Sequence, residues 1–286
     1  MKILKKLIIL TVLFTAISAA YTVEIEIAAE AGNFAFSSDG VLKKMPDFGF
    51  RLILDEDLGK NIHGRLAVRR TPGFGNSIWG RIAYVTDSIK ISIGPALGFL
   101  NSNKFEKDFI TLFQPGFGTS MSFRTPKGFL AEVDTNFAVP LTPAKTSRIY
   151  LQDGFFELGW NFPNITASLK ISQKTKTSVK DNDEIFISLT DMGMYTMVYS
   201  KPSRFRIPLN VFFRINRYEK RAGSLLKDSI GSVVLETGLE HTISSEVEWF
   251  VNFGAGLFSF SFEKKGEAVK GFFFNTDAGV RISVGS

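Results

Sequence analysis

Arg51, Arg65, Arg69, Arg81 and Lys90 stand in segments where apolar residues take every second position, and each occupies the polar parity. Further along, Glu132, Asp134, Asp153 and Glu157 do the same with the opposite sign. Two kinds of chemistry use such residues. A carboxylate pair two positions apart on a strand, such as Glu132 and Asp134, shares a face and suits general acid–base work. Fixed cations opposed to fixed anions across a narrow space instead set up a transverse field that orders water and sorts solutes by charge and dipole. Neighbouring opposite charges can also simply pair and fill that space. Nucleophilic hydrolysis would need His beside Ser or Asp. The chain has two His, His63 and His241, and neither lies in a Gly-x-Ser-x-Gly context. There is no Gly-rich phosphate loop and no metal-ligand spacing of His and acids. Cys is absent, which excludes disulfides, thiolate metal sites and a Cys nucleophile. No enzymatic activity, cofactor or metal is expected.

The elements that position these charges are strands. In "RIAYVTDSIKISIGP", residues 81–95, Ile82 and Tyr84 alternate before a polar centre, and Ile89, Ile91 and Ile93 alternate after it. That is the pattern of a hairpin with one apolar and one polar face. The pattern recurs almost to the end of the chain. It predicts about fourteen strands, at 21–36, 47–55, 62–70, 77–86, 88–100, 109–124, 129–139, 148–160, 165–174, 185–199, 204–218, 229–240, 246–262 and 271–284. In 185–199 the apolar parity switches between Leu189 and Met192, which predicts a bulge near Thr190–Asp191. Inward glycines such as Gly94 and Gly118 are expected to relieve crowding.

The first twenty residues read as an export signal: Lys2, Lys5 and Lys6, then an apolar run, then small residues at a cleavage site. Its removal would lower the formal charge from +6 to about +3, which gives no support for a nucleic-acid partner. No later window is apolar for long enough to cross a membrane as a helix. The remaining choices for residues 21–286 are a β-sandwich or a closed barrel.

Connection lengths favour the barrel. Alternate connections read "SSDGVLKKMP", "TPGFGNS", "NSNKFEKD", "PLTPAKTS", "KTSVKDNDE", "EKRAGSLLKDS" and "EKKGEAVKG", polar and long; those between them, such as "TDS", "TPKG" and "NFPN", are short. Long loops on one side and short turns on the other are a membrane-barrel signature. Tyr84, Phe123, Phe129, Trp160, Tyr199, Phe205 and Trp249 fall beside the short turns, where an interfacial aromatic girdle would lie. A second set, including Phe48, Phe137, Phe186, Phe262 and Phe272, lies near the long loops.

In this architecture the chain resembles the bacterial outer-membrane β-barrel proteins, and most closely compact channel-forming members of about fourteen strands. "DAGVRISV" is similar to the family's C-terminal assembly signal, with Asp277, Gly279, Ile282 and Val284 at the signal positions. The resemblance implies an all-β, closed, antiparallel up-and-down barrel in the outer membrane, built by the barrel-assembly machinery, embedded in lipid and monomeric. Fourteen strands would enclose a backbone cylinder of roughly 14 Å radius, wide enough for a wet passage. The expected function is passive diffusion of small polar or charged solutes. Arg51, Arg65, Arg69, Arg81, Lys90, Glu132, Asp134, Asp153 and Glu157 are then pore-lining. A closed structural or adhesive barrel is the alternative, and an outer-membrane enzyme a more distant one.

Overall fold

The computed structural model describes residues 22–33, 46–72, 74–99, 114–138, 147–180, 183–200, 204–222, 224–264 and 266–285. The export segment and the connections 34–45, 100–113 and 139–146 lie outside the described residues.

The described residues form fourteen strands: β1 (Val23–Gly32), β2 (Asp47–Gly59), β3 (Ile62–Thr71), β4 (Gly75–Val85), β5 (Ile89–Phe99), β6 (Gln114–Arg124), β7 (Phe129–Ala138), β8 (Ser147–Asn161), β9 (Ile165–Lys180), β10 (Asp183–Ser200), β11 (Phe205–Ala222), β12 (Ser224–Thr242), β13 (Val247–Ser261) and β14 (Phe274–Val284). Each pairs antiparallel with its sequence neighbours. β14 closes on β1 in an unbroken register from Val23↔Val284 to Gly32↔Asn275. Closure gives every strand two partners, so no edge exposes unpaired backbone. The sandwich alternative is thereby excluded.

Alternation decides which side chains face out. Ile82, Ile91, Ile93, Phe117, Met121, Phe156, Leu169, Met192, Leu209 and Phe253 are exposed on the outer wall. A protein in water would bury such rows; in a closed barrel they can only meet lipid. Leu169 is 68% exposed at the middle of the apolar row Ile165–Leu169–Ile171. Leu169→Arg is therefore expected to cost about 2–4 kcal/mol in a bilayer. Urea titration of the vesicle-folded barrel reads this directly, and an unchanged midpoint would place the row outside the hydrocarbon.

The wall is uneven in height. β1 to β7 have 10 to 13 residues, whereas β10, β11 and β12 have 18, 18 and 19. At about 3.3 Å per residue and a tilt near 40°, β12 rises roughly 48 Å, well beyond an apolar band of about 25 Å. Two connections predicted as long loops are consequently strand. "KTSVKDNDE" is mostly the top of β9 and β10, and "EKRAGSLLKDS" the top of β11 and β12, where Ala222 pairs with Ser224. Their polar residues on both faces erased the period-two signal, because a wall standing above the membrane has no lipid face. Ion pairs Arg217–Glu219, Lys227–Glu219 and Arg221–Glu184 mark that upper wall.

The predicted bulge in β10 is absent. Its register runs unbroken against β9 from Asp183↔Lys180 to Val198↔Ile165, and against β11 from Glu184↔Arg221 to Ser200↔Phe205. Ile185, Ile187 and Leu189 thus share the inner face with Asp191, while Met192 and Met194 face out. The switch in apolar parity is an apolar patch inside the barrel. A bulge does occur between β12 and β13, where Val233 pairs with Phe258 and Val234 with Gly256.

Candidate functional site

The inner face carries the charges. On the β2–β1–β14 side they form a continuous ladder. Arg51 donates from Nε to Glu26, from Nη1 to Glu30 at 2.9 Å, and approaches Asp277 at 3.5 Å. Arg281 donates from Nε to the other oxygen of Glu26 at 2.8 Å and also pairs with Glu240 and Glu248. Arg206 closes the run on the same two glutamates. The Phe250 ring, 2% exposed, lies under both Arg51 and Arg281, at 5.9 and 4.6 Å from ring centroid to guanidinium. Gly279 makes room for it, since a Cβ there would come within 2.7 Å of the Phe250 ring and 2.2 Å of the Ile27 carbonyl oxygen.

A second cluster lies on β4 to β8. Arg81 is only 5% exposed. It donates through both terminal nitrogens to Asp134, with Nη2–Oδ1 at 2.9 Å, and Nη2 also reaches Asn136 Oδ1 at 2.7 Å and the Thr135 carbonyl at 3.3 Å. Its other side rests on the Trp79 ring at 4.6 Å. Two strands separate β4 from β7, so the side chain must cross β5 and β6. Gly118 leaves the lane open, because a Cβ there would sit 2.9 Å from Arg81 Nη2 and 2.2 Å from Asn136 Oδ1. Asn136 in turn donates to Asp153 at 2.9 Å.

At the short-turn end, aromatic rings ring the outer wall: Phe123 near Phe129, Phe129 edge-on to Trp160, and Phe205 stacked on His241 beside Trp249. Rings at that level sit where an apolar face meets lipid and a polar edge meets water. Ionic rows inside, apolar rows outside and aromatics at the rim complete the pattern. The molecule is a closed, fourteen-stranded transmembrane β-barrel.

No family model matches the chain, and no curated protein does. Among solved structures the barrel aligns with the loop L8 deletion mutant of OmpT, an outer membrane protein of Vibrio cholerae (TM-score 0.46, 9% identity, 92% of this chain and 98% of that one). It also aligns with a bacterial polysaccharide outer membrane secretin (0.49, 11%, 92% and 98%) and with an outer membrane channel from Pseudomonas putida F1 (0.46, 7%, 92% and 95%). The assignment itself rests on closure and on the sorting of apolar from ionic rows.

The basic and acidic residues singled out in the sequence do not stand as two bare opposed walls. Arg51 is held by Glu26, Glu30 and Asp277, Arg65 by Asp55, Arg69 by Glu30, and Arg81 by Asp134. Glu157 accepts from Ser168 and pairs with Lys170 at 3.4 Å. Lys90 and Glu132 make no ion pair within 4 Å among the described residues. Of the assembly-signal residues, Asp277 meets Arg51 inside the barrel and Gly279 accommodates Phe250, while Val284 is exposed outside and Ile282 shares its parity. Glu26, Arg281 and Phe250 belong to the ladder and were not singled out. Their signal was available: Glu26 and Arg281 occupy the polar parity of the first and last strands, as Arg51 does in the second.

At the tall end one turn reaches the opposite wall. Phe74, in the turn between β3 and β4, is 6% exposed and packs with Ile185, Ile187, Tyr218 and Ile230 of β10, β11 and β12. In a ring of fourteen, β3–β4 and β10–β11 are diametrically opposite, so this turn leans across the lumen. Val269, from the β13–β14 connection, packs against the same cluster and against Phe212, Val234 and Phe273. The β5–β6 side is lined differently, by Ser92, Gly94, Gly118, Ser120 and Ser122, with Ser92 and Ser120 hydrogen-bonded at 2.6 Å. The two histidines lie apart. His63 pairs with Asp57 beside the β2–β3 turn, and His241 is a member of the outer aromatic girdle.

Proposed function

We propose that this barrel is a channel for passive diffusion of small polar or charged solutes across the outer membrane, with its passage along the β4–β8 wall. The observation that carries the reading is the asymmetry of the inner face. Small residues line β5 and β6, next to Lys90 and Glu132, which have no ion-pair partner among the described residues. The opposite wall is filled by Phe212, Tyr218 and Phe250. A gutter of small side chains beside unpaired charges leaves room for a hydrated solute. The reading assigns no catalytic step, and it takes outer-membrane lipid as solvent, a monomer as the working unit and β14 as the edge presented to the barrel-assembly machinery.

A closed structural barrel is the second reading, favoured by the Phe74 turn and the paired arginines. Refolded protein in planar bilayers separates them. Discrete, reproducible conductance steps are expected; a silent bilayer, both with the native protein and with the turn released by Phe74→Ala, would leave the closed barrel.

A further inference from the structure

Beneath the Phe74 turn, between it and the ionic ladder, the inner face forms a half-open cavity of ≈ 230 Å³, smaller than the roughly 300–1,000 Å³ of drug-sized sites. Four cations, Arg51, Arg69, Lys174 and Arg214, and three carboxylates, Glu30, Asp277 and Glu236, line it. The carboxylates are already engaged. Glu30 accepts from Arg51 at 2.9 Å and from Arg69 at 3.4 Å, Asp277 faces Arg51, and Glu236 accepts from Asn210 at 2.8 Å and Asn275 at 2.9 Å. Arg214 directs two N–H groups at Asp191, 2.7 and 2.8 Å away. That leaves Lys174. It lies on the inner parity of β9 between Ser172 and Lys176, and its ammonium makes no ion pair or hydrogen bond among the described residues.

Carboxylates stand near this ammonium, Asp153 directly across on β8 and Glu30 in the same lining, but none makes an ion pair with it among the described residues, and an ammonium left so in a polar cavity favours an anion. The three carboxylates around it limit that anion to a single charge, because a dianion would meet their repulsion. Leu189 and Pro72 supply the apolar part of the lining. We infer that this cavity is a binding site for a small organic monocarboxylate, its carboxylate on Lys174 and its apolar end against Leu189 and Pro72. The inference goes beyond the channel reading: no residue of β4 to β8 lines the cavity, so a carboxylate held there lies under the Phe74 turn, away from the small-residue gutter.

The test is calorimetric titration of the refolded barrel in detergent micelles with benzoate, with the fold checked by heat-modifiable gel mobility. Saturable binding is expected, weakened at least tenfold by Lys174→Gln, retained by Lys174→Arg and by the outer-wall control Lys227→Gln. Benzyl alcohol, which keeps the ring and loses the charge, should not bind. The inference is overturned if the folded native protein takes up no benzoate, if Lys174→Gln binds as well as the native protein, or if inorganic phosphate or benzyl alcohol binds as tightly. Micelles need no conduction. A barrel that binds benzoate but gives no steps in a bilayer would sink the channel and spare the site, and a conducting barrel that ignores benzoate would do the reverse.

Discussion

Phe74→Ala is expected to raise single-channel conductance or the fraction of time spent open, and to cost the barrel no more stability than the docking itself supplies. The reason is where Phe74 sits. Its strands, β3 and β4, belong to one wall, yet its ring is buried against Ile185, Ile187, Tyr218 and Ile230 on the opposite wall. Burying a Phe side chain contributes about 1.5–3 kcal/mol. A turn held across the lumen by that amount alone would favour the docked state roughly tenfold to a hundredfold. Truncation to Ala removes most of this preference and leaves the turn free to leave the lumen. The wall loses no ladder hydrogen bond, since Phe74 lies between β3 and β4, outside both. Phe258→Ala, which truncates a ring 55% exposed on the outer wall, is the control and should leave conductance unchanged. Equal conductance for the native protein and Phe74→Ala, with the passage still ion-selective, would mean that the turn does not bar the route.

The fold was legible because lipid imposes a strict alternation. Strand assignments were closest where both faces are constrained, lipid outside and charge inside, as at Ile89–Ile93 and Phe205–Ile215. They failed where one constraint lapses. Above the membrane, Thr175 to Lys180 and Glu219 to Ala222 remain in strand without any apolar parity. Inside the barrel, Ile185, Ile187 and Leu189 are apolar because they receive Phe74, so the sequence shows a parity switch where the backbone has none. The charges were legible as inward-facing residues. The partners that close the ladder were not, because that pairing joins strands far apart in the chain: Arg281 to Glu26, 255 residues away, and Arg51 to Asp277, 226 residues away. Only closure of β14 on β1 brings those residues within reach. The Phe74 turn was hidden for a related reason. "TPGFGNS" is an ordinary polar connection in sequence, and only the ring of strands shows that its one aromatic has an apolar patch directly opposite.

The second large effect belongs to Arg81 and Asp134. Asp134→Ala is expected to destabilise the barrel by about 3 kcal/mol, toward the lower end of what removing one partner from a buried ion pair costs. The side chain of Arg81 is 3% exposed and that of Asp134 20%; water reaching the acid side softens the loss, but the guanidinium, pinned over Trp79 and across Gly118, cannot turn out to find it. Replacing both, as Arg81→Met with Asp134→Leu, removes the stranded charge. It also withdraws donors from Asn136 Oδ1 and the Thr135 carbonyl, at about 1–3 kcal/mol if they stay unsatisfied. The double variant should therefore be more stable than Asp134→Ala and no better than the native barrel. Removing a guanidinium that crosses β5 and β6 should at the same time widen the small-residue gutter and raise conductance. Urea unfolding in vesicles gives the stabilities, and planar bilayers the conductance. If Asp134→Ala unfolds at the native midpoint, Arg81 has found solvent; if the double variant is stable and conducts no better, the gutter is not the solute's route.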